Sequence, residues 1–360
     1  MTALLEVNNL SKSYRTGAGL FGGFRTAKVV SDVSFSVSRG NVFALVGESG
    51  SGKTTIGRLL LRLIEPDEGR INFDGIDVRA LDPHALRRLR RRVQIIFQDP
   101  FGSLDPRVRI GDAIAEPIRL HKLRPRGEVG ARVAELLDLV GLSASHALRY
   151  PHEFSGGQRQ RVAIARALAV EPELIVCDEP VSALDLSIQA QVVNLLSELR
   201  ARLGVSYVFI SHDMSVVRHL ATHVGVLYAG RLVETGPSET IFSDPRHPYT
   251  RVLLAATPSP VPGSLRSRDA VRGEPPSPFD GGAFCRFAAR CDHQFQACLD
   301  REPQLVDIGP PPRLSACLRA AELPPFAALD DGEDRMTTAY RTRLRLLRRA
   351  RTTGVTDVAQ

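Results

Sequence analysis

Eight consecutive residues, Gly47-Glu48-Ser49-Gly50-Ser51-Gly52-Lys53-Thr54, fit the pattern G-x-x-x-x-G-K-[ST] and follow the apolar run Val42–Val46. A helical pattern runs through Leu59–Leu63 directly afterwards, so the order strand, loop, helix is the one a phosphate-binding loop requires. The glycines let successive backbone N–H groups converge on a phosphate at a helix N-terminus. Lys53 is placed to reach β- and γ-phosphates, and the Thr54 hydroxyl to ligate Mg²⁺. Further along, Leu174-Ile175-Val176-Cys177-Asp178-Glu179 reads as a buried parallel strand that ends in two carboxylates. At such a strand end Asp178 can hold Mg²⁺ through water, and Glu179 can orient and polarise an attacking water. An Asp-Glu pair is common by itself; beside a phosphate loop it gains weight. Cys177, inside the strand, reads as a small core hydrophobe.

Shortly before that strand stands Phe154-Ser155-Gly156-Gly157-Gln158-Arg159-Gln160-Arg161, which is similar to the signature sequence of the ABC ATPases. The order of phosphate loop, Gln98, Ser155-Gly156-Gly157-Gln158, Asp178-Glu179, Ser182-Ala183-Leu184-Asp185 and His212 resembles that family over about the first two thirds of the chain. The family's usual Leu before the Ser is Phe154 here. Ser155 is well placed as a helix N-cap, with the Ser-Gly-Gly amides and the helix dipole facing outward as an anion site. A second anion site in a chain that already has its own implies something to share. In the family, two ATPase domains pair head-to-tail, and each signature (here Ser155, Gly156, Gly157 and Gln158) closes on the partner's ATP.

The resemblance implies further roles, residue by residue. ATP would be bound by Tyr14, stacking on adenine, and by Gly47, Ser49, Gly50, Ser51, Gly52, Lys53, Thr54 and Thr55. Thr54, Gln98 and Asp178 would hold Mg²⁺. Glu179, His212 and Gln98 are the catalytic candidates: Glu179 directs water, His212 contacts the γ-phosphate and positions Glu179, and Gln98 touches metal and water. Asp185 would link the two composite sites. As isolated residues Gln98 would be a surface residue, His212 a structural histidine and Tyr14 a buried aromatic.

The elements that must position these groups follow from patterning. Strand candidates are Val42–Val46, Leu174–Asp178, Ser206–Ile210 and Val224–Tyr228, and Val224–Glu234 reads as an antiparallel hairpin turning at Ala229-Gly230. Val192, Leu195, Leu196, Leu199 and Leu203 fall at helical spacing, with Gly204 a natural C-cap. The pattern predicts an α/β fold with a helical insertion over about residues 99–170, and the resemblance implies a phosphate-loop ATPase core of the ABC type with that insertion as its helical subdomain and an N-terminal antiparallel β-subdomain. This nucleotide-binding domain spans residues 1–240. An irregular, cysteine-containing extension (241–325) follows, then an acidic and Arg-rich tail (326–360).

Composition agrees with a globular chain of more than one domain. Of 360 residues, 43% are hydrophobic and 24% charged, enough to bury a sizeable core. The net charge of +7 concentrates in the tail, where six Arg fall within Arg341–Arg351. No run of 18 apolar residues occurs and no signal-like N-terminus is present, so the chain is expected to be neither membrane-spanning nor secreted. A single core without a membrane span argues against single-chain exporters. The absence of a long heptad segment argues against chromosome-maintenance ATPases, and one core rather than two against translation factors.

Phe97-Gln98-Asp99-Pro100-Phe101-Gly102-Ser103-Leu104-Asp105-Pro106-Arg107 and Asp244-Pro245-Arg246-His247-Pro248-Tyr249-Thr250 resemble segments of the oligopeptide/dipeptide importers, and within them the second, F-type, of two ATPase subunits. The subgroup implies two membrane permeases, a second ATPase in a heterodimer, an extracytoplasmic solute-binding protein, and a peripheral place on the cytoplasmic face of the inner membrane. Peptides are the expected cargo, with nickel or another small solute as the alternative. A soluble nucleic-acid ATPase is the rival reading, favoured by the basic tail and a pI near 9.4, although no nucleic-acid partner is expected. Cys285, Cys291, Cys298 and Cys317 fit neither the usual zinc spacings nor the ferredoxin runs. The importer subgroup has this arrangement, and some members are thought to hold a [4Fe–4S] cluster there. Cluster, zinc and reduced structural thiols all stay open from the sequence. The Arg341–Arg351 segment reads as a short basic helix that would touch anionic lipid or nucleic acid, or serve only as a solubilising end.

Overall fold

Strands made almost wholly of apolar residues form the parallel centre of an eight-stranded sheet. In order across the sheet they are His223–Tyr228, Val42–Val46, Ser206–Ser211, Leu174–Asp178 and Val93–Ile96. Val42–Val46, Leu174–Asp178 and Ser206–Ser211 are buried at every position, as strands covered on both faces must be. Alternation divides their side chains between two cores. Val42, Ala44, Val46, Ile175 and Cys177 join one core, and Phe43, Leu45, Leu174 and Val176 the other. The first core runs on into the helical subdomain through Ile114, Ile118, Leu136, Leu137 and Val162. The second lies beneath the antiparallel sheet and takes in Leu5, Val7, Val33 and Ile71. Cys177 is fully buried as expected, and burial pushes its thiol pKa up.

The structure, a computed structural model, describes residues 3–17, 24–257, 273–277, 279 and 284–326. The basic segment Arg341–Arg351, the acidic residues from Asp330 to Asp334, and Pro258, Pro260, Pro262 and Pro278 lie outside the described residues. The antiparallel sheet has the order Phe24–Ser38, Ala3–Gly17, Glu68–Phe73, Ile76–Asp77. The helical stretch contains Ile110–Leu120, Val129–Leu139 and Gly156–Leu168. The helix Leu186–Leu203 closes on Gly204 at φ 68°, whose N–H donates to the Arg200 carbonyl, a left-handed cap that glycine adopts without strain.

Two elements differ from the sequence reading. The helix after the phosphate loop is shorter, Lys53–Leu60, with Leu61 as its cap. Leu59, Leu60 and Leu61 stay buried while Leu63 is exposed, so the apolar run outlasts the helix it suggested. The extension after residue 240, expected to be irregular, is joined to the core by paired strands. Its strand Leu314–Ser315 pairs antiparallel with Arg231–Pro237, and Val306–Asp307 pairs with Leu314–Ser315 at the edge. The extension thereby completes the same sheet that carries the phosphate loop.

Candidate functional site

The phosphate loop leaves the buried Val42–Val46 strand through Gly47, at φ 155°. A Cβ there would sit 2.1 Å from the Leu227 carbonyl oxygen, so only glycine lets the loop pass this neighbouring strand. Ser49 and Gly50 are exposed, whereas Ser51, Gly52 and Lys53 are buried. Lys53 Nζ donates to the carbonyls of Gly47 (2.7 Å) and Glu48 (2.9 Å) and lies 3.5 Å from Ser51 Oγ. Burial pulls the Lys53 pKa down, opposed by the nearby Glu179, Asp178 and Glu48. Its ammonium is therefore drawn into the loop, where an anionic ligand would be favoured. Thr54 and Thr55 follow in the first turn of the helix, both half-buried.

Asp178 and Glu179 meet this loop at the strand end. Thr54 Oγ1 donates to Asp178 Oδ1 at 2.9 Å. Asp178 is buried, and desolvation raises its pKa against the Thr54 hydrogen bond. A divalent cation would offset that cost, and the hydroxyl, carboxylate and amide oxygens of Thr54, Asp178 and Gln98 are the hard donors Mg²⁺ takes. These residues fit the ion. Glu179 turns out of the strand at φ 47°, its N–H bonded to the Ile210 carbonyl at 3.1 Å. Its Oε2 accepts from Gln98 Nε2 at 3.1 Å and lies 3.3 Å from His212 Nδ1. Loop, metal donors, carboxylate, glutamine and histidine thus form one connected cluster.

Ser155 caps the Gly156–Leu168 helix with a reciprocal box: Gln158 N–H donates to Ser155 Oγ (3.3 Å), and Ser155 N–H to Gln158 Oε1 (3.0 Å). Ser155 is exposed and Gly157 buried. A Cβ on Gly157 would stand 2.4 Å from Ile188 Cγ2, and one on Gly156 3.4 Å from Leu184 Cδ2. The signature therefore packs on the segment around Asp185, which is itself exposed at the start of the Leu186–Leu203 helix. Phe154 fills the core, 4% exposed, edge-on to His146, so the departure from Leu is absorbed internally. Tyr14 is 39% exposed, with Lys12 Nζ 5.7 Å from its ring centroid. Tyr14 is therefore not the buried aromatic of the alternative reading.

The expectation of a [4Fe–4S] cluster, or of zinc, at Cys285, Cys291, Cys298 and Cys317 gains no support. All four are free cysteines, and among the described residues no group of three or more His, Cys, Asp or Glu side chains could hold a metal ion. Cys285 N–H does donate to the Cys298 carbonyl at 2.8 Å. Burial raises the thiol pKa of Cys285, and that of Cys291 and Cys317 to about 11 each. Burial thus disfavours the thiolate at Cys285, Cys291 and Cys317.

Two residues at the phosphate loop escaped the sequence reading. Tyr249 Oη accepts the Glu48 N–H at 2.9 Å, and Arg290 pairs with the Glu48 carboxylate. The only signals were Tyr249's place in the Asp244–Thr250 run and Arg290's position next to Cys291.

This fold and site define an ATPase of the ABC class. Residues 30–182 match the ABC transporter family, and residues 233–298 match the C-terminal region of oligopeptide/dipeptide transporters. A putative peptide import ATP-binding protein of Brucella ovis is 50% identical over 88% of this chain and 98% of its own. The dipeptide transport ATP-binding protein DppF of Escherichia coli is 46% identical over 85% of this chain and 92% of its own. Among solved structures, an ATP-binding cassette seen as a dimer in a post-hydrolysis state with ADP and Pi matches at TM-score 0.58. It is 29% identical and covers 65% of this chain and 98% of that one. The transporter component cbiO1 from Clostridium perfringens matches at TM-score 0.59, 27% identical, over 67% and 91%. The chain belongs to the ABC transporter family of ATP-binding proteins, in its oligopeptide/dipeptide branch. Among the described residues no helix is long and apolar enough to cross a membrane.

Proposed function

We propose that this chain is the ATP-hydrolysing subunit of an importer for oligopeptides or dipeptides. The observation that carries the reading is Glu179 Oε2, approached by both Gln98 and His212 beside the Thr54–Asp178 pair. The chain-long identity to peptide import proteins supports the cargo class. In this reading residues 1–240 bind and hydrolyse ATP, 241–325 form the importer-type extension, and 326–360 are a tail. Tyr14 stacks on adenine, while the backbone of Gly47–Thr55 and the Lys53 ammonium hold the phosphates. Thr54, Asp178 and Gln98 would hold Mg²⁺, which when bound neutralises charge across the β- and γ-phosphate oxygens.

Glu179 takes the proton of the attacking water, and the turn at its own residue aims the carboxylate. Gln98 and His212 keep Oε2 in place, and His212 reports on the γ-phosphate. Ser155, Gly156, Gly157 and Gln158 face the ATP of a second ATPase, the neighbour in a heterodimer, with Asp185 between the two sites. Positioning and electrostatics carry most of the rate. The pair docks on two permeases at the cytoplasmic face of the membrane, supplied by an extracytoplasmic solute-binding protein. Closure moves the helical subdomain about Gln98 and so pushes on the permeases.

The test is a pull-down of the tagged Glu179→Gln chain from native membranes with ATP and Mg²⁺ in mild detergent. Two permeases, a second ATPase and a peptide-binding protein are expected to co-purify. Recovery only from the soluble fraction with nucleic acid would overturn the reading in favour of a soluble nucleic-acid ATPase. Recovery with a nickel-binding protein would move the cargo and leave the machinery.

A further inference from the structure

We infer that Arg290 and Tyr249 of the C-terminal extension are positioning residues for ATP: they hold Glu48, and through it the phosphate loop and Lys53. The inference rests on the assignment of that loop as the ATP site. Glu48 is the residue after Gly47, and three contacts fix it. Arg290 Nη1 and Nη2 donate to Glu48 Oε2 and Oε1 at 2.9 and 3.0 Å, a two-pronged match of guanidinium to carboxylate. Tyr249 Oη accepts the Glu48 N–H at 2.9 Å. The Glu48 carbonyl accepts from Lys53 Nζ at 2.9 Å. The peptide that orients the loop's lysine is therefore gripped from behind by the extension.

That grip is built rigidly. The Arg290 side chain is 5% exposed, donates also to Tyr228 Oη at 3.0 Å, and lies over the Tyr228 ring. Tyr249 is fully buried against Tyr228 and Phe287. Its backbone N–H donates to His247 Nδ1 at 3.1 Å, and the N–H groups of Arg246 and His247 donate to the buried Glu234 carboxylate at 2.6 and 3.0 Å. Four residues before Arg290, Arg286 donates to the Ala229 carbonyl and to Ser31 Oγ and pairs with Glu302 at 3.0 Å. Both arms of the brace are anchored on the core, so a loop held this way pays less to order itself around phosphates.

The experiment titrates a fluorescent ATP analogue with Mg²⁺ onto the purified full chain, alongside thermal denaturation. Arg290→Gln and Glu48→Gln are each expected to raise the dissociation constant about tenfold, the effect of one charge-assisted pair lost. The Arg290→Gln/Glu48→Gln double variant is expected to be no weaker than either single, because the two side chains act as one unit. Tyr249→Phe removes only the hydroxyl acceptor and is expected to weaken binding a few-fold in a chain that still folds. Unchanged affinity in folded variants, or losses that multiply in the double variant, would overturn the inference. A wild-type chain that fails to bind the analogue would instead overturn the ATP site itself.

Discussion

Glu179, the proposed proton acceptor, is set apart by its backbone as well as its carboxylate. A non-glycine residue at φ 47° directly after a five-residue buried strand is held in a sparsely populated conformation, and such positions persist where the surroundings dictate them. Here they do: the Ile210 carbonyl takes its N–H, and Gln98 and His212 flank its Oε2. Glu179→Gln keeps the shape and removes the proton acceptor. Hydrolysis by the assembled pair is expected to fall roughly a hundred- to ten-thousandfold, with ATP affinity within about threefold of wild type. Steady-state ATPase and equilibrium ATP binding measured side by side check this. At this scale the sequence was most legible where chemistry demands a residue type at fixed spacing, as in Gly47–Thr54 and Asp178-Glu179. Gln98 and His212 could be assigned only through the family resemblance, because a lone glutamine or histidine has no spacing signature. Glu48, Tyr249 and Arg290 could not be paired at all, since residues 201 and 242 positions apart meet only once the chain folds.

At the scale of elements, the signature helix and the helix after Asp185 pack closely because Gly157 admits Ile188. Gly157→Ala would drive a methyl to 2.4 Å from Ile188 Cγ2. It is expected to cost about 1–3 kcal/mol of stability as overpacking, read by denaturant unfolding, and to weaken ATP-driven pairing by displacing the Asp185 segment. At the junction of core and extension, two buried groups titrate in opposite senses. Burial lowers the His247 pKa from its ordinary 6.5 to about 3 and raises that of Glu234 from 4.5 to about 7. His247 therefore adds stability that is present above pH 6.5 and is lost as pH falls toward 3. Glu234 does the reverse, its share being full below pH 4.5 and lost as pH rises to about 7. Between 4.5 and 6.5 the two slopes oppose each other. In His247→Asn, which retains an acceptor for the Tyr249 N–H, stability is expected to rise on acidification across that window relative to wild type by about 1.4 kcal/mol per pH unit. Parallel pH profiles for the two chains would refute the assignment. Strands and helices with a clean period, such as Leu174–Asp178 and Leu186–Leu203, were readable from apolar spacing. The attachment of Leu314–Ser315 to the core sheet was not, because a two-residue strand has no period to read.

At the scale of the molecule, two cores on opposite faces of one sheet bring the phosphate loop, the Glu179 carboxylate and His212 to the same set of strand ends. The C-terminal extension closes the far edge of that sheet and reaches back to the loop through Arg290 and Tyr249. In the proposed mechanism the helical subdomain between Gln98 and Asp178 turns about Gln98 and so converts phosphate chemistry into movement. Hydrolysis directed by Glu179 drives peptide uptake in that proposed mechanism. The most direct measurement reconstitutes the complete transporter in liposomes, with the wild-type chain or Glu179→Gln, and follows ATP hydrolysis and peptide accumulation together. Both activities are expected to collapse in Glu179→Gln while ATP remains bound; uptake that continues at the wild-type rate would contradict the mechanism.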